Sequence, residues 1–169
     1  MKETTILTEI AIAVALSAIC HFIRLYQMLQ GGAVSLTMVP ILLISYRHGV
    51  VPGIITGAIY GVVSLLMDSV IYHPLSILLD YVLAFGAVGI AGFFKPDKTG
   101  IVLGTTLGIS GRFISSTLSG ALLFAEFAPK GQNVWLCSIG YQASYLIPEL
   151  IICILVLLLL QAKANRLFK

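Results

Sequence analysis

The sequence predicts an all-α membrane protein: six transmembrane helices in one bundle, with N- and C-termini cytoplasmic. Three observations carry this. The first is composition. Of 169 residues, 59% are hydrophobic and only 10% are charged, against about 45–50% and about 25% in ordinary soluble domains. A small globule leaves much of its surface in water and cannot hide that much apolar area. A soluble enzyme, a nucleic-acid binder and a disordered regulator are therefore disfavoured, and no nucleic-acid partner is expected. The second observation is the division into apolar runs with very short linkers. There is room for about six spans of ~20 residues and no second domain, so residues 1–169 read as a single integral membrane domain. The third is the placement of Lys and Arg. Lys2, Arg47, Lys95, Lys98, Lys163, Arg166 and Lys169 fall on one side, Arg24 and Lys130 on the other, and Arg112 inside a span. Positive loops stay cytoplasmic, which sets the orientation.

The runs can be taken in order. Ile6–Leu25 is the first; only Lys2 precedes it as a cation and no small-residue cleavage site follows, so it is expected to remain as a helix rather than leave as a signal peptide. Its Ala11, Ala15 and Ala18 lie at helical spacing, and small residues at i and i+4 allow close helix approach in lipid. That face suits either packing within the chain or docking of another membrane subunit. Val34–Tyr46 is short for a span at ~1.5 Å per residue. A broken Gln30-Gly31-Gly32 lead-in is expected before it, surrounded by protein rather than lipid. Val50–Met67 carries Gly53, Gly57 and Gly61, again at i, i+4, which favours internal packing. Leu75–Phe94, Ile101–Ala125 and Val134–Gln161 complete the set. Pro148 in the last run is expected to kink it and aim Glu149. The linkers each hold Gly or Pro, as turns require.

Charges inside a span are costly and are candidates for function. Three lie deep: Asp80, Arg112 and Glu149. Counting ~1.5 Å per residue puts Asp80 roughly 6–9 Å below the outer end of the fourth helix. Ser116 and Gln142 fall at the same depth on the fifth and sixth helices. Arg112 and Glu149 lie lower and can form a floor, either as a structural ion pair or as support for a site. Helical phase agrees, since Arg112, Ser116 and Ser119–Gly120 share one face while Ser138, Tyr141–Gln142, Tyr145 and Glu149 share another. Tyr81, Phe124, Tyr141, Tyr145 and Trp135 lie near these faces, Trp135 reading more readily as an interfacial belt residue. A polar layer walled by aromatic rings suits a flat, polar, cationic small molecule.

Other chemistries lack their signatures. There is no phosphate-binding Gly-x-x-x-x-Gly-Lys-Ser/Thr loop. No paired carboxylates, Ser-His or Cys-His sets occupy an aqueous loop, so an enzyme is not expected. His21, His48 and His73 lack metal-ligand spacing, and Cys20, Cys137 and Cys153 lie in apolar stretches without disulfide or metal spacing. No metal and no cofactor are expected. The chain is also small for a transporter built on internal repeats. A binding site without a motor suggests a subunit that borrows its energy.

Three stretches stand out: Gln30-Gly31-Gly32-Ala33-Val34-Ser35-Leu36-Thr37-Met38-Val39-Pro40-Ile41 with Tyr46-Arg47-His48-Gly49, Leu79-Asp80-Tyr81-Val82-Leu83-Ala84-Phe85-Gly86 with Gly89-Ile90-Ala91-Gly92, and Phe124-Ala125-Glu126-Phe127-Ala128-Pro129-Lys130-Gly131 with Tyr141-Gln142-Ala143-Ser144-Tyr145-Leu146-Ile147-Pro148-Glu149. Together they resemble the ThiT family, the thiamine-specific substrate-binding (S) components of energy-coupling-factor (ECF) vitamin transporters. The resemblance covers nearly the whole chain. It implies a six-helix bundle in the bacterial cytoplasmic membrane with a vitamin site near the outer face. It also implies a transmembrane coupling subunit and two ATPase subunits as partners, the coupling subunit met through Ala11 and Ala15. Its pocket positions correspond here to Asp80, Tyr81, Ser116, Phe124, Cys137, Tyr141 and Gln142, supported by Arg112 and Glu149. Ser116 stands where the family has histidine, Cys137 where it has tyrosine, and Gln142 where it has asparagine. The implied function is high-affinity thiamine uptake. The alternatives are uptake of a thiamine precursor or a related pyrimidine or thiazole compound, or a non-transport membrane scaffold.

Overall fold

The computed structural model describes residues 2–28, 32–68, 73–125 and 131–168. Gln30 and Gly31 of the expected lead-in, Glu126–Lys130 of the fifth linker, and Lys169 lie outside them.

Helix α1 runs Lys2–Phe22, α2 Met38–His48 and α3 Val50–Asp68. The fourth rod, α4, spans Pro74–Phe93, its middle turns at Ile77–Leu83 wound as a π-helix and its last turns at Gly89–Phe93 as a 3₁₀-helix. Helix α5 is Lys98–Leu123 and α6 is Val134–Lys163, followed by a 3₁₀ turn at Asn165–Phe168. Among the described residues, five of these helices (all but α2) are long and apolar enough to cross a membrane. Leucines and isoleucines stand exposed along them, as on Leu7, Ile12, Leu66, Leu136 and Leu159. In lipid that exposure carries no penalty.

Helix α2 solves its shortness by burial. Eleven residues reach only ~16 Å, too little for hydrocarbon that is ~30 Å thick. Eight of its eleven residues are buried, and it packs against α1, α3, α4 and α6. A helix apolar on all sides belongs inside protein.

One element departs from the all-helical expectation. Helix α1 stops at Phe22 rather than Leu25, and Arg24–Gln27 (β1) pairs antiparallel with Ala33–Ser35 (β2), matching Arg24 to Ser35 and Gln27 to Ala33. The physical reason is backbone satisfaction. Non-helical backbone at this depth must bond within the protein, and the strands bond to each other.

The glycines of α3 pack internally, as their spacing predicts. A Cβ at Gly61 would lie 2.5 Å from the Tyr81 carbonyl oxygen, and one at Gly57 would strike the Phe85 carbonyl. The backbone of α4 therefore rests on bare α3 backbone, which sets the position of the π turn. At the bundle end bearing Arg47, Glu9 of α1 holds Arg47 at 3.1 Å and His48 at 2.7 Å, pinning α1 to α2.

Candidate functional site

The site is built on the π turn of α4. A π turn widens the helix and frees backbone groups, and such turns concentrate at functional sites. Here Ser115 Oγ donates to the Leu79 carbonyl at 2.5 Å, and Ser119 Oγ donates to Asp80 Oδ2 at 2.5 Å. Ser115 and Ser119 are one turn apart on α5 and both face α4. The carboxylate of Asp80 is thus fixed by a neighbouring helix, in a half-buried position.

Ser116 was expected at the Asp80 layer. It lies about one turn before Ser119 and is buried, and its backbone carbonyl accepts from Gln142 Nε2 at 3.1 Å. Gln142 Oε1 in turn accepts from the Tyr145 hydroxyl. Ser138 Oγ donates to the Thr117 carbonyl at 2.9 Å, and Gly120 leaves room for Ser138 to come that close. Asp80, Ser119, Ser116, Gln142 and Tyr145 therefore join α4, α5 and α6 in one polar layer. Ser119 is the residue that spacing alone did not single out. It shared the predicted polar face with Arg112 and Ser116, but spacing could not say which serine met Asp80.

Arg112 and Glu149 meet as expected, with Nη1 3.5 Å from Oε2 and side-chain exposures of 12% and 1%. The guanidinium lies over the Phe85 ring, its carbon 4.3 Å from the centroid, a cation–π contact strengthened by desolvation. The carboxylate has a second partner from outside the helices, since Ser35 Oγ at the end of β2 lies 3.1 Å from Glu149 Oε1. Ser35 and Thr37 are contributions that a search among charged span residues does not reach.

The aromatic wall is partly assembled. Tyr141 and Tyr145 meet edge to face at 5.9 Å between centroids. The Gly32 amide donates to the Tyr141 hydroxyl at 3.2 Å, and a Cβ at Gly32 would sit 2.7 Å from the Tyr145 ring. The hairpin thus lies directly on these two rings. Tyr81 follows Asp80 within the π turn and is half-buried; Phe124, also half-buried, closes α5. Cys137 lies one turn nearer the N-terminal end of α6 than Tyr141. Its thiol lies 3.1 Å from Gln132 Oε1, in a shallow surface pocket of about 260 Å³ lined also by Asn133 and Leu136. Trp135 is 47% exposed, as a belt residue would be. Ala11 and Ala15 lie on the exposed side of α1.

A buried carboxylate, a largely buried cation and a ring wall under a small hairpin make a candidate site, and known proteins share the frame. A thiamine transporter ThiT of Bacillus subtilis (strain 168) is 41% identical over 184 residues, covering 99% of this chain and 96% of that protein. The solved structure of ThiT from Listeria monocytogenes shares the fold, with a TM-score of 0.87 over 99% of both chains at 22% identity. The profile of the thiamine transporter protein family (Thia_YuaJ) matches residues 7–169. With a family match over all but the first six residues and a relative this close, the chain belongs to the thiamine transporter protein family.

Proposed function

We propose that this protein is the substrate-binding S component of an ECF transporter and takes up thiamine. The observation that carries the reading is the Asp80 carboxylate, held by Ser119 in a layer of tyrosines within a thiamine transporter family chain. Thiamine joins a cationic thiazolium ring to an aminopyrimidine. Asp80 supplies the counter-charge or accepts from the amino group. Gln142 and Ser116 provide polar edges, while Tyr81, Phe124 and Tyr141 provide faces for stacking, a contact worth roughly 1–3 kcal/mol per ring in base-binding proteins. Cys137 belongs to the rim of the site. Arg112 and Glu149 form its floor.

In this reading the site opens to the outside of a bacterial cytoplasmic membrane, with both termini on the cytoplasmic face. Two separate ATPase subunits hydrolyse ATP, and a transmembrane coupling subunit docks on α1 at Ala11 and Ala15, whose small side chains stand exposed. The test is direct. The protein purified from cells grown in rich medium should carry thiamine, identified by mass spectrometry. A bound precursor such as a free aminopyrimidine would replace thiamine as the substrate, and an empty protein that does not respond to thiamine in a titration would sink the reading.

A further inference from the structure

The geometry points to Glu149 as a positioning residue: it pins strand β2 to α6 and so holds the hairpin over the tyrosines. This rests on the thiamine-binding reading only where ligand kinetics are invoked. Glu149 is 1% exposed and deep in a span, where a carboxylate is expensive. Arg112 alone does not account for its placement, because their contact is 3.5 Å and Glu149 Oε2 makes no hydrogen bond among the described residues. The shorter contact is to Ser35.

Ser35 has one hydroxyl proton and two acceptors in reach, Glu149 Oε1 at 3.1 Å and Thr37 Oγ1 at 2.8 Å. An ionised carboxylate can only accept, whereas a threonine hydroxyl can also donate. The carboxylate is the stronger acceptor, so the proton goes to Glu149, and Ser35 Oγ accepts from the Thr37 amide at 3.3 Å. The end of β2 is thereby locked into α6 through a hydrogen bond to the carboxylate that also faces Arg112.

The other end of this segment is held on the same face of α6. Gly32 touches Tyr141 and Tyr145, and Tyr141, Tyr145 and Glu149 follow at i, i+4, i+8. The lengths agree. From Gly32 to Ser35 an extended chain advances ~10 Å, and Glu149 lies ~6 Å along the helix from Tyr145 and ~12 Å from Tyr141. The segment thus runs alongside the helix with a pin at each end, and Glu149 is the charged one.

Hydrogen–deuterium exchange on the purified full-length protein, first without ligand, reads the pin directly. Ser35→Ala should raise exchange at the amides of residues 33–35 by about tenfold, the weight of one hydrogen bond to a charged acceptor. Exchange in α3 and α5 should stay at the wild-type level. Glu149→Gln, which removes the charge and keeps an acceptor, should give a smaller rise, and Ser35→Thr should restore protection. With thiamine bound, Ser35→Ala should speed dissociation by a similar factor and leave association near wild type. Unchanged exchange at β2 in Ser35→Ala, or an equal rise throughout α3, α5 and α6, would overturn the assignment. If Glu149→Gln does not fold, Ser35→Ala decides alone. If the wild type ignores thiamine, the functional reading fails while the ligand-free exchange still judges the pin.

Discussion

Replacing Asp80 by Asn is the sharpest test of the candidate site, because it changes charge and almost nothing else. The side chain keeps its shape and an oxygen that can still accept from Ser119, which lies 2.5 Å from the carboxylate in the wild type. The π turn at Ile77–Leu83 is held independently by Ser115 on the Leu79 carbonyl. Folding should therefore survive. What is lost is the negative charge presented to a cationic ligand. A charge-assisted hydrogen bond in a partly desolvated site is worth about 2–4 kcal/mol, and each 1.4 kcal/mol is a factor of about ten in affinity. Thiamine binding should weaken by at least about tenfold, and by a few hundredfold if the carboxylate meets the thiazolium directly. Isothermal titration of the purified variant gives the number, and circular dichroism with thermal melting controls for folding. Wild-type affinity in a folded Asp80→Asn protein would refute the assignment of Asp80 as the counter-charge.

Three other perturbations separate coupling, packing and site polarity. Ala11→Trp or Ala15→Trp adds bulk to an exposed stripe of α1; uptake by cells should fall while thiamine affinity of the isolated protein stays near wild type, and unimpaired uptake would place the coupling surface elsewhere. Gly57→Ala drives a methyl into the Phe85 carbonyl, a backbone group that cannot swing aside, so overpacking of about 1–3 kcal/mol should lower the melting temperature by several degrees. Tyr145→Phe removes the hydroxyl that Gln142 accepts from, and titration should show weaker thiamine binding by roughly 1 kcal/mol with the melting temperature little changed.

The parts of this molecule that were legible in its sequence are those set by one helix at a time. The run Val50–Met67 becomes α3 at Val50–Asp68, and Leu75–Phe94 becomes α4 at Pro74–Phe93. Apolar length alone decides a span, so no tertiary knowledge is needed. The shortness of α2 was equally visible. The charges Asp80, Arg112 and Glu149 stood out because such residues are rare in hydrocarbon, and Arg112 and Glu149 do meet. The strands were not legible. Three or four residues carry too little alternation to register, and β2 is extended because it is docked on α6 at Gly32 and Ser35.

Partner choice within the polar layer was also hidden, and the reason is quantitative. Adjacent residues on a helix differ by ~100° in direction, so which of Ser115, Ser116 and Ser119 meets α4 depends on how α5 is rotated. That rotation is set by packing far from the serines, where Gly104 nears Tyr46 and Gly108 nears Val88. The π turn adds a second displacement, since its wider winding shifts Asp80 relative to any count on an ideal helix. Both effects turn a side chain by about one residue's direction. Azimuth is therefore beyond the count, which is why spacing could not single out Ser119 as the partner of Asp80. The same logic assigns the roles of the two neighbouring serines. On the proposed reading Ser119 holds the carboxylate while Ser116, whose backbone carbonyl anchors Gln142, shapes the opposite edge of the site, so a substitution at Ser116 should alter which ligand fits before it alters how strongly the cation is held.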